Sequence, residues 1–91
     1  MEDVLWHLLA SSRGGPTRVQ LLRAIEQQPR NANQLAEELE IDYTTVRHHT
    51  EILVENNVLR KSAEEYGALY LFTDQVRTHW DVVEEILHVV E

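Results

Sequence analysis

Residues 31–59 read NANQLAEELEIDYTTVRHHTEILVENNVL, two amphipathic segments joined by a very short connector. The first segment begins at Asn31, a residue type that caps helix N-termini well, and Gln34 stands three residues later, where it can complete a capping box. Apolar side chains then recur at helical spacing through residues 35–39. These features predict a short amphipathic helix that starts directly after Asn31.

The second segment begins at Asp42, again a good N-cap, and places Val46, Thr50 and Leu53 on one face at steps of four and three. Only two residues separate the first apolar stripe from the new cap, so the two helices must cross at a steep angle. The pattern predicts a helix-turn-helix over residues 31–57.

The outward face of the second segment is polar at positions i, i+3, i+4 and i+7, which are Thr44, Arg47, His48 and Glu51. Tyr43 stands beside them in the first turn. This stripe suits a recognition helix, predicted over residues 43–56, that enters the major groove of double-stranded DNA. The other interpretation is an ordinary solvated face in a small helical bundle.

The side chains of this region have chemistries that suit DNA. Arg47 lies in the second turn, and its planar donor fork matches the paired acceptors of a guanine edge. Side chains near the helix start suit phosphates, aided by the positive end of the helix dipole. His49, between apolar neighbours, is expected to pack inward. The predicted DNA-binding side chains are Tyr43, Thr44, Thr45, Arg47, His48, Arg60 and Lys61.

The flanking sequence predicts three further helices and a β-hairpin. The predicted elements are a helix within residues 1–12, a core helix over 17–28 that Pro29 ends, a hairpin over 59–72 that turns at Gly67, and a helix over 74–91 capped by Asp74. A hairpin directly after a recognition helix is a wing. We therefore predict one domain over residues 1–91, mainly α with a small β-hairpin: a winged helix-turn-helix with flanking N- and C-terminal helices.

The final helix has an unusually wide apolar surface. One stripe recurs at coiled-coil spacing from Val76 to Val90, and a second stripe lies on a neighbouring face at Val82, Ile86 and Val89. One small core is not expected to cover both stripes. We therefore predict a homodimer joined through the first and last helices. A last helix wrapped fully by its own domain is the alternative.

The net charge of −8, from 16 acids and 8 bases, is unusual for a nucleic-acid binder. The excess lies mostly in residues 63–91, which hold seven acids and one arginine, whereas residues 42–62 hold three acids and three bases. The predicted reading segment is therefore neutral. Abundant acid with a single lysine, Lys61, suits a protein of a haloarchaeal cytoplasm, and ordinary compositional drift explains it equally well.

Several function classes find no support in the residues. Without cysteine there are no disulfides, thiol nucleophiles or thiolate metal sites. No glycine-rich phosphate loop and no nucleophile with a base is present, so we expect neither an enzyme nor a cofactor. His79, Asp81, His88 and Glu91 have poor metal-ligand spacing, so we expect no metal site or metal effector. No segment is long enough to span a membrane and no signal peptide is recognisable, so we expect a cytoplasmic protein.

The order of elements resembles the winged helix-turn-helix regulators of the ArsR type. GGPTRVQLLRAI at residues 14–25 resembles the first core helix of that family, and residues 31–53 resemble its reading unit. The run VRHHTEIL is the most specific piece, with His49 where the family commonly has a histidine. The Asn-rich cap and the Asp42-Tyr43 start resemble archaeal members. The resemblance implies a dimeric transcription regulator with the wing beside the major-groove helix.

Two positions depart from that family pattern. Glu64 and Glu65 occupy the turn of the wing, where the family often has basic residues, so we expect the tip to attract phosphate little. Glu40 stands where a helix-turn-helix often has a glycine with positive φ, and we expect the turn to differ slightly to avoid strain of about 1 kcal/mol.

The alternative function is a winged-helix module that binds protein without specific DNA binding, because the fold supports both uses. The net charge of −8 and the acidic wing favour the protein-binding module. Arg47, His48, Lys61 and the neutral reading segment favour DNA.

Overall fold

The computed structural model describes all residues from 1 to 91 and has the predicted winged helix-turn-helix architecture. A small antiparallel hairpin follows the helix-turn-helix, and helical segments flank both. In chain order the elements are α1 (Glu2–Trp6), a π-helical turn (His7–Ser11), α2 (Gly15–Gln27), α3 (Ala32–Leu39), α4 (Tyr43–Glu55), β1 (Leu59–Lys61), β2 (Tyr70–Phe72), α5 (Asp74–Thr78) and α6 (Trp80–Val90).

The central helix α2 carries most of one side of the core. It begins at Gly15, with Pro16 in its first turn, where the missing N–H of proline costs nothing. It ends at Gln27 because Gln28, the residue before Pro29, is extended. A Cβ atom at Gly15 would lie 2.3 Å from the carbonyl oxygen of Leu9, so only glycine allows α2 to pack this closely on the N-terminal segment.

The helix-turn-helix has the predicted caps. The Asn31 side chain accepts from the Gln34 backbone N–H, and the Gln34 side chain accepts from the Asn31 N–H, as in a full capping box. The Asp42 carboxylate caps α4. The expectation for the turn was wrong: Glu40 has φ +55° and ψ +45°, so a non-glycine residue takes the left-handed conformation. Its N–H and that of Ile41 both reach the Ala36 carbonyl, which ends α3 as a left-handed cap.

The wing is a two-stranded antiparallel sheet in which Leu59 pairs with Phe72, and Lys61 with Tyr70. Gly67, with φ +86°, provides the positive φ that the turn needs. The N–H of Tyr70 also donates to the Arg30 carbonyl at 2.9 Å, so β2 is tied to the segment between α2 and α3.

The C-terminal helix differs from the prediction in two ways. Thr73, rather than Asp74, is its N-cap, and its hydroxyl accepts from the Val76 N–H. The predicted continuous helix is interrupted at His79, with φ −106° and ψ +31°, so that α5 and α6 are separate.

The chain's own core covers the two apolar stripes of the last helix unequally, and the homodimer that they predict stays a prediction. Val83, Ile86 and Leu87 are fully buried within one chain, because α6 packs against the N-terminal helical segment on one side and α2 on the other. The single core therefore covers most of the first stripe, whereas on the second stripe only Ile86 is buried, Val82 is half-buried and Val89 is 64% exposed. None of the helices combines the length and the apolar character that a membrane-spanning segment requires.

Candidate nucleic-acid interface

Helix α4 divides cleanly into a core face and a solvent face. Val46, Thr50 and Leu53 are fully buried, and the Thr50 hydroxyl lies 3.1 Å from the Tyr70 hydroxyl on β2. Thr44, Thr45, His48 and Glu51 are exposed. The buried face fixes α4 against α3 and the wing, and its opposite face is presented as one polar surface.

Arg47 is held in place on this surface. Its guanidinium donates to the Tyr43 hydroxyl at 3.2 Å and to the Glu51 carboxylate at 3.0 Å, and it lies 6.0 Å from the centre of the Tyr43 ring. These two hydrogen bonds, Tyr43 first, raise the pKa of Arg47. The side chain is 41% exposed, and its Nε–H is buried without a hydrogen-bond partner. Arg47 is therefore held by two hydrogen bonds at the surface, and its unpartnered Nε–H faces away from solvent.

The first turn of α4 presents side-chain hydroxyl groups to solvent. The backbone N–H groups of Thr44 and Thr45 are not free, because both already have a hydrogen-bond partner. The Asp42 carboxylate accepts from the N–H groups of Thr44 at 3.0 Å and Thr45 at 3.3 Å. A phosphate at this end would therefore meet the threonine hydroxyls and the half-buried Tyr43. The expected help from the helix dipole is reduced, because a carboxylate already occupies its positive end.

The adjacent histidines of α4 have different surroundings. His49 is buried and His48 is exposed, as the sequence predicted, and their rings meet edge to face at 5.2 Å. The Nδ1 atom of His49 accepts from the Arg18 Nε–H at 3.2 Å. Burial, followed by the Arg18 and His48 charges, lowers the pKa of His49, so its imidazole is neutral and suited to accept.

Buried Arg18 is a residue that the sequence reasoning missed. Besides His49 it donates to the Leu8 carbonyl at 2.9 Å and the Ser12 hydroxyl at 2.8 Å, and it has no acidic partner. Burial lowers its pKa. The sequence offered one signal, an arginine next to Val19 in the predicted core helix over residues 17–28. Arg18 links the N-terminal segment to the back of α4.

The two basic residues at the base of the wing are not brought together. Successive residues of a strand point to opposite faces, so Arg60 shares a face with its cross-strand partner Leu71, and Lys61 shares the other with Tyr70. Lys61 lies beside α4, where Tyr43, Arg47 and Lys61 line a cavity of about 240 Å³ between the helix-turn-helix and the wing. The structure thus assembles these three predicted residues and places Arg60 elsewhere.

The wing tip is acidic and carries one exposed aromatic ring. The Glu64 carboxylate forms an ion pair with Lys61 at 3.2 Å, and Glu65 is exposed. Tyr66 is 78% exposed, and its hydroxyl accepts from the side-chain amide of Asn33 on α3. Tyr66 was also missed, although a tyrosine within a predicted turn was the available signal.

The four residues considered as metal ligands, His79, Asp81, His88 and Glu91, do not form a metal site. The Glu91 carboxylate is bound by Arg23 at 2.8 and 2.9 Å, which lowers its pKa. The Nδ1 atom of His79 lies 2.9 Å from the Gln75 carbonyl oxygen. No three His, Asp or Glu side chains lie close enough together to hold a metal ion.

Comparison with known protein families gives a match to part of the chain. The model of a family described as bacterial regulatory protein, arsR family, matches residues 15–61, which is just over half of the chain and includes α2, the helix-turn-helix and strand β1. No curated protein matches the chain.

Proposed function

The chain belongs to the arsR family of bacterial regulatory proteins, and on that premise we propose that it binds a specific operator as a homodimer. Membership makes it a DNA-binding transcription regulator. We place residues 43–56, which include α4, in the major groove. The observation that supports this most is the division of α4, whose buried face fixes the helix while Thr44, His48 and Glu51 remain exposed.

We propose that Arg47 is the main base-reading residue. Its guanidinium is partly exposed, and only an exposed ion pair with Glu51 and a hydrogen bond to Tyr43 restrain it. A surface pair of this kind is worth at most about 1 kcal/mol. A guanine edge, with two acceptors for the planar fork, can replace Glu51 as the partner.

The other predicted DNA-binding side chains are proposed to hold the backbone. The hydroxyls of Tyr43, Thr44 and Thr45 surround the start of α4, and Lys61 lies across a small cavity from Tyr43. Exposed His48 lies one turn after Thr44 on the groove-facing side. Arg60 is exposed on the opposite face of the wing, so it would reach a different part of the backbone.

We propose that the dimer uses the exposed parts of the first and last helical segments. Val89 on α6 is 64% exposed and Val4 on α1 is 38% exposed, and half-buried Trp6 and Val82 belong to the same two segments. Exposed valines on both terminal helices support an interface there, although it is smaller than the sequence suggested. An archaeal origin stays a prediction, because the family match does not bear on it.

The proposed function is tested by replacing Arg47 in a salt-titrated binding assay. The probes are duplexes from upstream of the chain's own gene and a scrambled duplex of equal length. We expect Arg47→Ala to weaken binding to the specific site by about 1–3 kcal/mol and to relax base preference at one position. We expect binding to the scrambled duplex to change much less.

Two matched variants separate base reading from charge. Arg47→Lys keeps the charge but loses the planar fork, so it should retain scrambled-duplex affinity and still lose specificity. Thr44→Ala should weaken binding to all sequences evenly. Unchanged operator affinity and preference in Arg47→Ala would contradict the recognition-helix assignment. Absence of any specific site would point to the protein-binding module.

A further inference from the structure

A surface cleft of about 440 Å³ lies behind the wing, where the end of α2, strand β2 and the start of the C-terminal helices meet. One wall is aromatic: the rings of Phe72 and Trp80 pack edge to face at 4.9 Å. Ile25, Pro29 and Leu71 complete an apolar lining. Small-molecule sites in proteins are mostly apolar clefts of about 300–1,000 Å³ with a few polar groups, and this cleft has that size and character.

The cleft contains two charged residues, Arg77 and Glu26, and they are not equivalent. The Glu26 carboxylate already accepts from the Arg23 guanidinium at 2.8 Å. Arg77 on α5 forms no ion pair, although Asp74 and Asp81 lie nearby in sequence. Arg77 is the only basic residue in the lining of the cleft, and it lies on the same surface as the aromatic wall. The cleft therefore offers one free cation and one compensated anion.

We propose that this cleft binds a small aromatic carboxylate. The ring of the ligand packs on the surface that Phe72, Trp80 and Leu71 present to the cleft, where offset and edge-to-face contacts between aromatic groups are favourable. The carboxylate pairs with the Arg77 guanidinium, whose fork binds carboxylates through two parallel hydrogen bonds. The ligand thereby pairs the free cation of the cleft and covers the exposed part of its aromatic wall.

The position of the cleft connects its occupant to the wing. Leu71 and Phe72 belong to β2, and Tyr70 of the same strand donates to the Arg30 carbonyl just after Pro29. A bound ligand would contact both sides of this junction between α2 and the wing. Occupancy of the cleft should therefore change the affinity of the chain for its operator. This effect on DNA rests on the proposed function, but binding of the ligand to the cleft is independent of it.

The site is tested with phenylacetate as the probe and without DNA. The chain has two tryptophans, so in Trp6→Phe selective excitation of tryptophan reports on Trp80 alone, which lines the cleft. We expect a saturable change with a Kd on the order of 1 mM, as a probe of about ten non-hydrogen atoms can reach. Calorimetric titration of the unaltered chain provides the same constant if Trp6→Phe folds poorly.

The charge requirement is tested with matched ligands and variants. Neutral phenylacetamide should bind more weakly than phenylacetate by roughly fivefold or more, and Arg77→Gln should remove that difference. Arg13→Gln, an exposed arginine before α2, has the same charge change and should preserve it. No saturable binding, equal binding of acid and amide, or tighter binding of 2-phenylethylammonium, which would favour Glu26, would each overturn the proposal.

A separate titration on operator DNA tests the coupling to the wing. Saturating phenylacetate should shift operator affinity of the unaltered chain and leave that of Arg77→Gln unchanged. Unchanged affinity in a chain that binds the probe would overturn the coupling alone. Absence of operator binding would instead count against the proposed function.

Discussion

Arg18 and His49 form a contact in which the protonation state of one side chain decides whether the other is stabilised. Both side chains are buried, and the guanidinium has only neutral partners: an imidazole, a carbonyl and a hydroxyl. A protonated His49 would lose its acceptor atom and place a second cation 3.2 Å from the first. The contact is therefore stable only while His49 is neutral.

This contact predicts that folding stability falls in weakly acidic solution. The pKa of His49 is lowered from its ordinary 6.5 in the folded chain, so below 6.5 the unfolded chain binds more protons. The contribution of the contact to the free energy of unfolding should be complete above pH 6.5. It should decline as the pH falls toward the pKa of His49 in the folded chain, by about 1.4 kcal/mol for each pH unit between the unfolded and folded pKa values. Denaturant titrations between about pH 8 and 5 measure the slope.

The control for this prediction is a side chain that accepts but does not titrate. His49→Asn offers a carbonyl oxygen to Arg18 and should flatten the slope. His48→Asn removes only the smallest of the three causes that lower the pKa of His49, so it should reduce the slope much less. Glu84 and Glu91, whose pKa values are lowered by Arg23, act only below their ordinary 4.5. An equal slope in His49→Asn and the unaltered chain would contradict the prediction.

At individual residues, the sequence predicted those conformations and hydrogen bonds that involve residues close together in the chain. The caps at Asn31 and Asp42 follow from side chains that reach amides two or three residues away. The left-handed Glu40 does not, because the crossing of α3 and α4 imposes its conformation. The Arg18–His49 contact joins positions 31 apart in sequence, and no local pattern indicates it.

At the scale of elements, the wing combines an attractive base with a repulsive tip. Lys61 beside α4 is paired with Glu64, so one carboxylate both repels phosphate and occupies the nearest lysine. In Glu64→Gln/Glu65→Gln two negative charges disappear and Lys61 becomes free. We expect tighter binding, roughly threefold to tenfold at low salt and chiefly to non-specific DNA, with a steeper salt dependence. Fluorescence anisotropy against salt concentration measures both quantities.

The matched control for the wing is a pair of acids on α6. Asp81→Asn/Glu85→Gln removes the same charge from exposed positions that form no ion pair, and should alter DNA affinity much less. Weaker binding after removal of Glu64 and Glu65 would contradict the prediction and indicate that the tip contacts another protein.

Elements were predictable where their signals are strong and local, and less so where packing sets their ends. The hairpin strands and Gly67 turn follow from alternation and a glycine. The break between α5 and α6 at His79 could not be predicted, because no proline or glycine stands there. The π-helical turn at His7–Ser11 also lacks such a signal, and there the Leu8 carbonyl accepts from both Arg18 and Ser12.

For the molecule as a whole, the C-terminal helix is tied to the central helix α2 by ion pairs. Arg23 on α2 binds the carboxylates of Glu26, Glu84 and Glu91. Glu84 and Glu91 lie more than 60 positions after Arg23 in the sequence. These contacts, with the burial of Val83, Ile86 and Leu87, explain why amphipathic pattern alone overstated the uncovered surface of α6. Periodicity shows which faces are apolar, but only the tertiary arrangement shows which of them a single chain covers.

The proposed dimer can be tested at a position where folding and association separate. Because Val89 is 64% exposed, Val89→Glu should leave the free energy of unfolding of the monomer nearly unchanged while placing two carboxylates in the interface. We expect the mass in sedimentation or light scattering at tens of micromolar to halve, and operator affinity to fall because each monomer then meets only a half-site. Leu69→Glu, an equal change at a partly exposed wing residue, should remain dimeric. A monomeric unaltered chain at that concentration would contradict the dimer, and an unchanged mass in Val89→Glu would exclude this face as the interface.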